Sequence, residues 1–394
     1  MSATTKVAPG GGAVALAQPD PPTSLRVPAP AISPRPFHRT MPGYRPTPLR
    51  VAPRAAEQLG VGDVLVKDES ERLGLPSFKV LGASWAVHRA LVEHLGAALE
   101  EISSFDRLKA AVAGARGLTL AAATDGNHGR AVAHMAALLG LDAAMYVPSD
   151  MVPARIAAIE DEGATVTVID GGYDDAVARS AQDAGEHCLV ISDTSWPGYE
   201  EVPGWVIEGY GTIFEEIDEA LGRDGRSQPD VVVAPIGVGA LAAAMVRHYW
   251  SPRPGEPRAR LVGVEPTSAA CVFESVVAGH IVTLEHPQTS IMAGLNCATP
   301  SLVAWPLVSR GIDVYLAVPD EPIAEATRVL AEDGIVAGEC GAAGLAAMSA
   351  AAHGPELAEA RSALGLGEDT RVLLLCTEGA TNPEAYRRLI GSDG

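Results

Sequence analysis

Short apolar runs at 64–66, 118–122, 143–147, 165–169, 231–234, 261–264 and 372–375 alternate with Ala- and Leu-rich stretches of helical pattern. Most of these runs are followed by turns rich in Gly, Asp and Asn. Strands that alternate with helices cannot all be joined by hairpins; they require crossover connections, and so a mostly parallel sheet covered by helices on both faces. The predicted class is α/β, with two domains each built on a twisted, mostly parallel sheet. In such open sheets ligands bind outside the carboxyl ends of the strands, which makes those polar turns the places to search for chemistry.

Composition narrows the function. With 394 residues, 47% of them hydrophobic, the chain can bury a large core or two smaller ones. A surplus of 49 Asp+Glu over 29 Lys+Arg leaves a net charge of −20, which argues against nucleic acid and against an anionic membrane surface. The longest apolar stretch, 231–246, is 16 residues long and broken by Pro235, Gly237 and Gly239, short of a membrane span. Five cysteines with no CxxC and no histidine at ligand spacing point to no metal site and to a reducing cytoplasm. A small-residue triplet at 15–17 imitates a signal cleavage site, but Gly10, Gly11 and Gly12 break any apolar stretch before it. Residues 1–40, rich in Pro, Gly and Ala and without periodicity, are expected to form a disordered or draped arm.

Four constellations could carry chemistry. In SFKVLGA (77–83), Lys79 sits between Phe78 and Val80 where an extended stretch gives way to a helix. A lysine in apolar surroundings gives up its charge readily, as Schiff-base chemistry requires; a surface lysine with a buried stem is the plain alternative. TDGNHG (124–129) lies between the run at 118–122 and a helical stretch at 131–141, an arrangement that offers backbone N–H groups to an anion. Capping alone could use Asp125, Gly126 and Asn127, yet two glycines flanking an Asn and a His exceed that need. GVGALA (237–242) fits both a phosphate cradle at a helix start and the G-x-G-x-x-A dinucleotide fingerprint. In the second reading Glu265 would hold a ribose, 28 residues on where about 20 is usual, and the protein would be an NAD-linked oxidoreductase. Finally, LCTEGATN (375–382) closes the last run, where Thr377 could present its hydroxyl to a ring nitrogen or simply form a turn.

Taken in order, these motifs resemble the fold-type II enzymes of pyridoxal 5′-phosphate (PLP), the tryptophan synthase β-like group, and within them the diaminopropionate ammonia-lyase family. The resemblance runs through GYRPTPL (43–49), VKDESERLGL (66–75), SFK, TDGNHGR, DTSW (193–196), Gly209 and Tyr210, GVGA, SIMAGL (290–295), GECGAAG (338–344) and TEG (377–379). It implies that Lys79 forms the internal aldimine with Phe78 beside it. It also implies that Asn127 bonds the cofactor's 3′ oxygen, that Gly237, Val238, Gly239 and Ala240 cradle its phosphate, and that Thr377 faces the pyridine nitrogen. The turn formed by Thr124, Asp125, Gly126, Asn127 and His128 would hold the substrate carboxylate, with Asp125 and Asp193 as active-site aspartates.

The implied reaction is α,β-elimination of 2,3-diaminopropionate, D or L, through an aminoacrylate to pyruvate and ammonia. Opposite enantiomers present their Cα protons to opposite faces of the cofactor, so elimination from both needs a second base beside Lys79, a role that falls to Asp125. The resemblance also implies a cytoplasmic homodimer with a large PLP-binding domain (41–83 and 196–394) and a smaller substrate-side domain (84–195). Pro76, Ser77, Ala83, Pro235 and Ala380 depart from the family pattern and leave another β-substituted, serine- or threonine-like amino acid as the alternative substrate. Cys271 and Cys297 flank the approach to SIMAGL, either close enough to pair under oxidation or simply as two buried thiols.

Overall fold

A computed structural model describes residues 11–18, 25, 32–115, 117–251 and 257–391. In chain order its strands are β1 (Val14–Ala17), β2 (Leu49–Val51), β3 (Asp63–Asp68), β4 (Thr119–Ala123), β5 (Asp142–Pro148), β6 (Thr165–Ile169), β7 (Cys188–Val190), β8 (Val231–Pro235), β9 (Arg260–Pro266), β10 (Val314–Val318) and β11 (Arg371–Cys376). Every apolar run expected to be a strand is one. β10 carries the same signal, a fully buried apolar run between Asp313 and Pro319, while β2 and β7 are three residues long and too short for any periodicity to show.

The chain divides into two units. Unit 1 comprises residues 1–30, 46–71 and 213–394, and unit 2 comprises 31–45 and 72–212. These divisions fall elsewhere than the expected 83/84 and 195/196. The physical reason is one helix crossing: Lys79–His94 packs on Glu201–Gly209, and the carbonyl of Leu81 lies 2.4 Å from where a side chain on Gly209 would begin. That contact holds both helices in unit 2.

Unit 1, among the described residues, has a seven-stranded sheet in the order β1-β10-β9-β8-β11-β3-β2. The five inner strands are mutually parallel and the edge strands β1 and β2 run antiparallel to their neighbours. Burial on both faces explains the near-continuous Val and Leu of β8–β11. The helix Glu339–His353 packs on the sheet; it is mostly Ala and Gly, and Gly344 lies close to Val233 and Leu374.

Unit 2 has a four-stranded, all-parallel sheet in the order β6-β5-β4-β7, with Ala121, Ala123, Tyr146, Ala176 and Val190 in one of its cores.

The N-terminal arm is more ordered than its composition suggests. Val14–Ala17 completes the edge of the unit 1 sheet against β10, where backbone pairing needs no particular side chain. The helix Arg35–His38 buries Arg35, Phe37 and His38, and His38 bonds Thr212 and the carbonyl of Leu81. Residues 1–10, 19–24 and 26–31 lie outside the described residues. Among the described residues no helix is long and apolar enough to cross a membrane, and no group of three or more His, Cys, Asp or Glu is placed to hold a metal ion.

Candidate active site

Each strand of the unit 2 sheet delivers one polar residue just past its carboxyl end: Asp125 after β4, Arg155 after β5, Tyr173 after β6 and Asp193 after β7. Parallel strands bring all their carboxyl ends to one edge, so residues distant in sequence converge there. Lys79 joins them from the first turn of its helix, donating from Nζ to Asp193 Oδ2 at 2.6 Å. Tyr173 donates its hydroxyl to Asp193 Oδ1 at 3.2 Å, and Arg155 Nη1 donates to the backbone oxygen of Asp125 at 3.1 Å.

The turn after β4 is built by its own residues. Thr124 Oγ1 accepts from the N–H of Gly126 at 2.9 Å and of Gly129 at 2.8 Å. Gly126 has φ +140, and any side chain on Gly129 would begin 2.3 Å from Thr124 Cγ2. The helix starts at Asn127, four residues earlier than the apolar pattern at 131–141 suggests, because this turn supplies its first bonds. His128 is buried, and its Nε2 donates to the carbonyl of Ile191 at 2.7 Å, leaving Nδ1 3.9 Å from Asp193 Oδ2. Its side chain therefore braces the segment carrying Asp193, and only its backbone remains for the substrate carboxylate expected at this turn. Tyr199 braces the same segment, donating to Val190 O and accepting from Ser192 N.

The electrostatics correct one expectation. Lys79 does not sit in apolar surroundings that strip its charge. Burial opposes the ammonium, but Asp193 above all, with Tyr210 and Asp125, holds its pKa well above the usual lysine value. Burial likewise opposes the charge of Asp193, yet Lys79 keeps that carboxyl well below the usual range. For Asp125 burial, aided by the charge of Asp193, prevails over the pull of Lys79 and Arg155 and raises the carboxyl. Two carboxylates of opposite tuning within electrostatic reach of one lysine make a candidate acid–base site.

In unit 1 the remaining candidates lie past the carboxyl ends of the adjacent strands β8 and β11. Gly239 has φ +102 and leads into the helix Ala240–Tyr249, whose N-terminus no side chain caps. A side chain on Gly237 would begin 3.1 Å from Gly294 O and 3.2 Å from Cys297 Sγ, so the backbone turn must stay bare. Such a turn offers N–H groups to a phosphate. Thr377 is buried, and its Oγ1 has no hydrogen-bond partner among the described residues, a state that costs stability unless a ligand atom meets it.

Glu265 overturns the dinucleotide reading. Its two carboxylate oxygens accept from the N–H of Val272 and of Phe273, each at 2.8 Å, so it caps a helix and is not free for a ribose. Burial, against those two N–H groups, pushes its pKa up to about 8. Cys271 and Cys297 are buried, form no disulfide and lie on either side of Gly237.

The chain belongs to the pyridoxal-phosphate dependent enzymes, whose family model matches residues 40–378. Its cofactor is PLP and its fold is type II. Within that family it stands with the diaminopropionate ammonia-lyases. It is 36% identical over 365 residues to the Escherichia coli K12 enzyme, covering 90% of each chain. The crystal structure of the E. coli enzyme in complex with D-serine superposes with a TM-score of 0.86 at 34% identity, covering 96% of this chain and 97% of that one. Its complex with an aminoacrylate-PLP azomethine reaction intermediate superposes with a TM-score of 0.83 at 33% identity, over 96% and 97% of the two chains.

Sequence reading missed Arg155 and Tyr173 and assigned no role to Tyr210. The Gly-Gly turn before Tyr173, just past β6, was the one available signal.

Proposed function

We propose that this protein is a carbon–nitrogen lyase that converts 2,3-diaminopropionate and water to pyruvate and two molecules of ammonia, acting on both the D and the L isomer. The observation that carries this reading is the cluster of Lys79, Asp125 and Asp193 at one sheet edge, in a chain so similar to enzymes of that name. PLP, when bound, supplies the electron sink that makes the Cα proton removable.

The chain's own residues do the rest. Lys79 carries the cofactor and, once freed, takes the Cα proton of the L isomer at Nζ. Asp193 holds that amine in place and keeps it charged when it bears a proton. Asp125 takes the proton of the D isomer from the opposite face, and the turn from Thr124 to His128 holds the substrate carboxylate through its backbone. Phe78, whose ring lies 5.7 Å from Lys79 Nζ, packs beside the amine, and Asn127 meets the cofactor's 3′ oxygen. Gly237, Val238, Gly239 and Ala240 take the phosphate, and the unpaired Thr377 hydroxyl meets the pyridine nitrogen. The working protein is a cytoplasmic homodimer.

The test is a panel of β-substituted amino acids assayed for ammonia and keto acid, run beside Lys79→Ala. Wild type should prefer 2,3-diaminopropionate. The variant should lose both borohydride-reducible cofactor attachment and activity, the latter by several orders of magnitude. Faster release from serine or threonine would overturn the substrate assignment, and retained attachment would overturn the role of Lys79.

A further inference from the structure

Tyr210 is fully buried, and its hydroxyl has no hydrogen-bond partner among the described residues. The fold goes to some length to place it. Its ring lies on the first turn of the Lys79 helix, so close that a side chain on Gly82 would begin 2.5 Å from Cε1. It packs against the Phe78 ring at a centroid distance of 4.7 Å, and its hydroxyl lies within electrostatic reach of Lys79, Asp193 and Asp125. A phenylalanine would fill the same space without burying an unpaired polar atom, which destabilises the fold. Burial pushes the phenol well above its usual pKa, so it is a neutral O–H.

We propose that the Tyr210 hydroxyl is a substrate-binding group of the Lys79 site, hydrogen-bonded to the amino acid held there. This rests on the function proposed above. In that reading the cofactor's amine link, phosphate, 3′ oxygen and ring nitrogen already have partners, so the amino acid is what remains for Tyr210. A neutral hydroxyl can donate to its carboxylate or accept from an ammonium, and either contact is charge-assisted.

Tyr210→Phe removes one oxygen and keeps the ring. In the cofactor-free protein the melting temperature should rise by about 2 °C, because an unpaired hydroxyl leaves the core. In the PLP-loaded protein the KM for 2,3-diaminopropionate should rise about tenfold or more, with kcat changed less than about threefold, the mark of a contact made in both ground and transition states. The affinity for PLP, titrated by absorbance, should stay within about twofold. A lower melting temperature of the cofactor-free variant would make the hydroxyl structural and overturn the proposal, as would an unchanged KM. A loss of PLP affinity with unchanged KM would assign the hydroxyl to the cofactor instead. Should wild type release no ammonia from 2,3-diaminopropionate, the proposed function fails. The same comparison, made on whichever amino acid of the panel shifts the cofactor's absorbance, still decides the role of Tyr210.

Discussion

Lys79, Asp125 and Asp193 show how three ordinary side chains acquire different duties from their neighbours. On the proposed role, Asp125→Asn removes one base and leaves in place the turn's bonds to Thr124. Elimination from the D isomer should fall more than about 10²-fold, and that from the L isomer much less, measured on the two isomers separately. Equal losses would mean that Asp125 only shapes the turn. Asp193 gives a pH prediction of definite sign. Its carboxyl is depressed in the folded protein, so the stability it contributes is present above the ordinary carboxylate pKa of about 4 and is lost as pH falls through the folded value. Thermal melts of the cofactor-free protein should steepen in their acid loss below about pH 4, and Asp193→Asn should flatten that limb.

At the scale of elements, the turn after β8 is one that only glycine adopts without strain. Read from sequence, Gly239→Val should weaken PLP binding far more than it weakens the cofactor-free fold. The backbone at φ +102 and the contact with Ala304, 3.2 Å from where a side chain would begin, change that expectation. A β-branched residue there should cost about 1–3 kcal/mol in the cofactor-free protein as well as weakening PLP. Denaturant melts without cofactor and a PLP titration separate the two effects. The turn after β4 carries a parallel lesson. TDGNHG was legible as an anion-binding turn, but its Thr and His mainly build the turn and brace Asp193, because buried polar atoms must first satisfy one another.

For the whole molecule, PLP should act as a stabilising ligand. Bound at 100 times its Kd it adds about 2.7 kcal/mol to the folded state, so the melting temperature should climb with PLP concentration. Lys79→Ala should retain only the part of that climb that the non-covalent contacts provide.

What the sequence determined by itself was the alternation of strand and helix and the identity of the glycine turns. Those features are local: a run of Val and Leu, or a glycine at a turn, carries its meaning within a few residues. Tertiary structure alone decided which side chains share a site. The charge of Lys79 follows from Asp193, 114 positions away, and the unpaired hydroxyl of Tyr210 is visible only once two helices cross at Gly82 and Gly209. The role of Glu265 as a helix cap, where sequence spacing allowed a ribose ligand, emerges only when β9 is set beside the helix Cys271–Ala278. Burial, pairing and the tuning of charge are properties of neighbours in space, and a parallel sheet draws those neighbours from all along the chain.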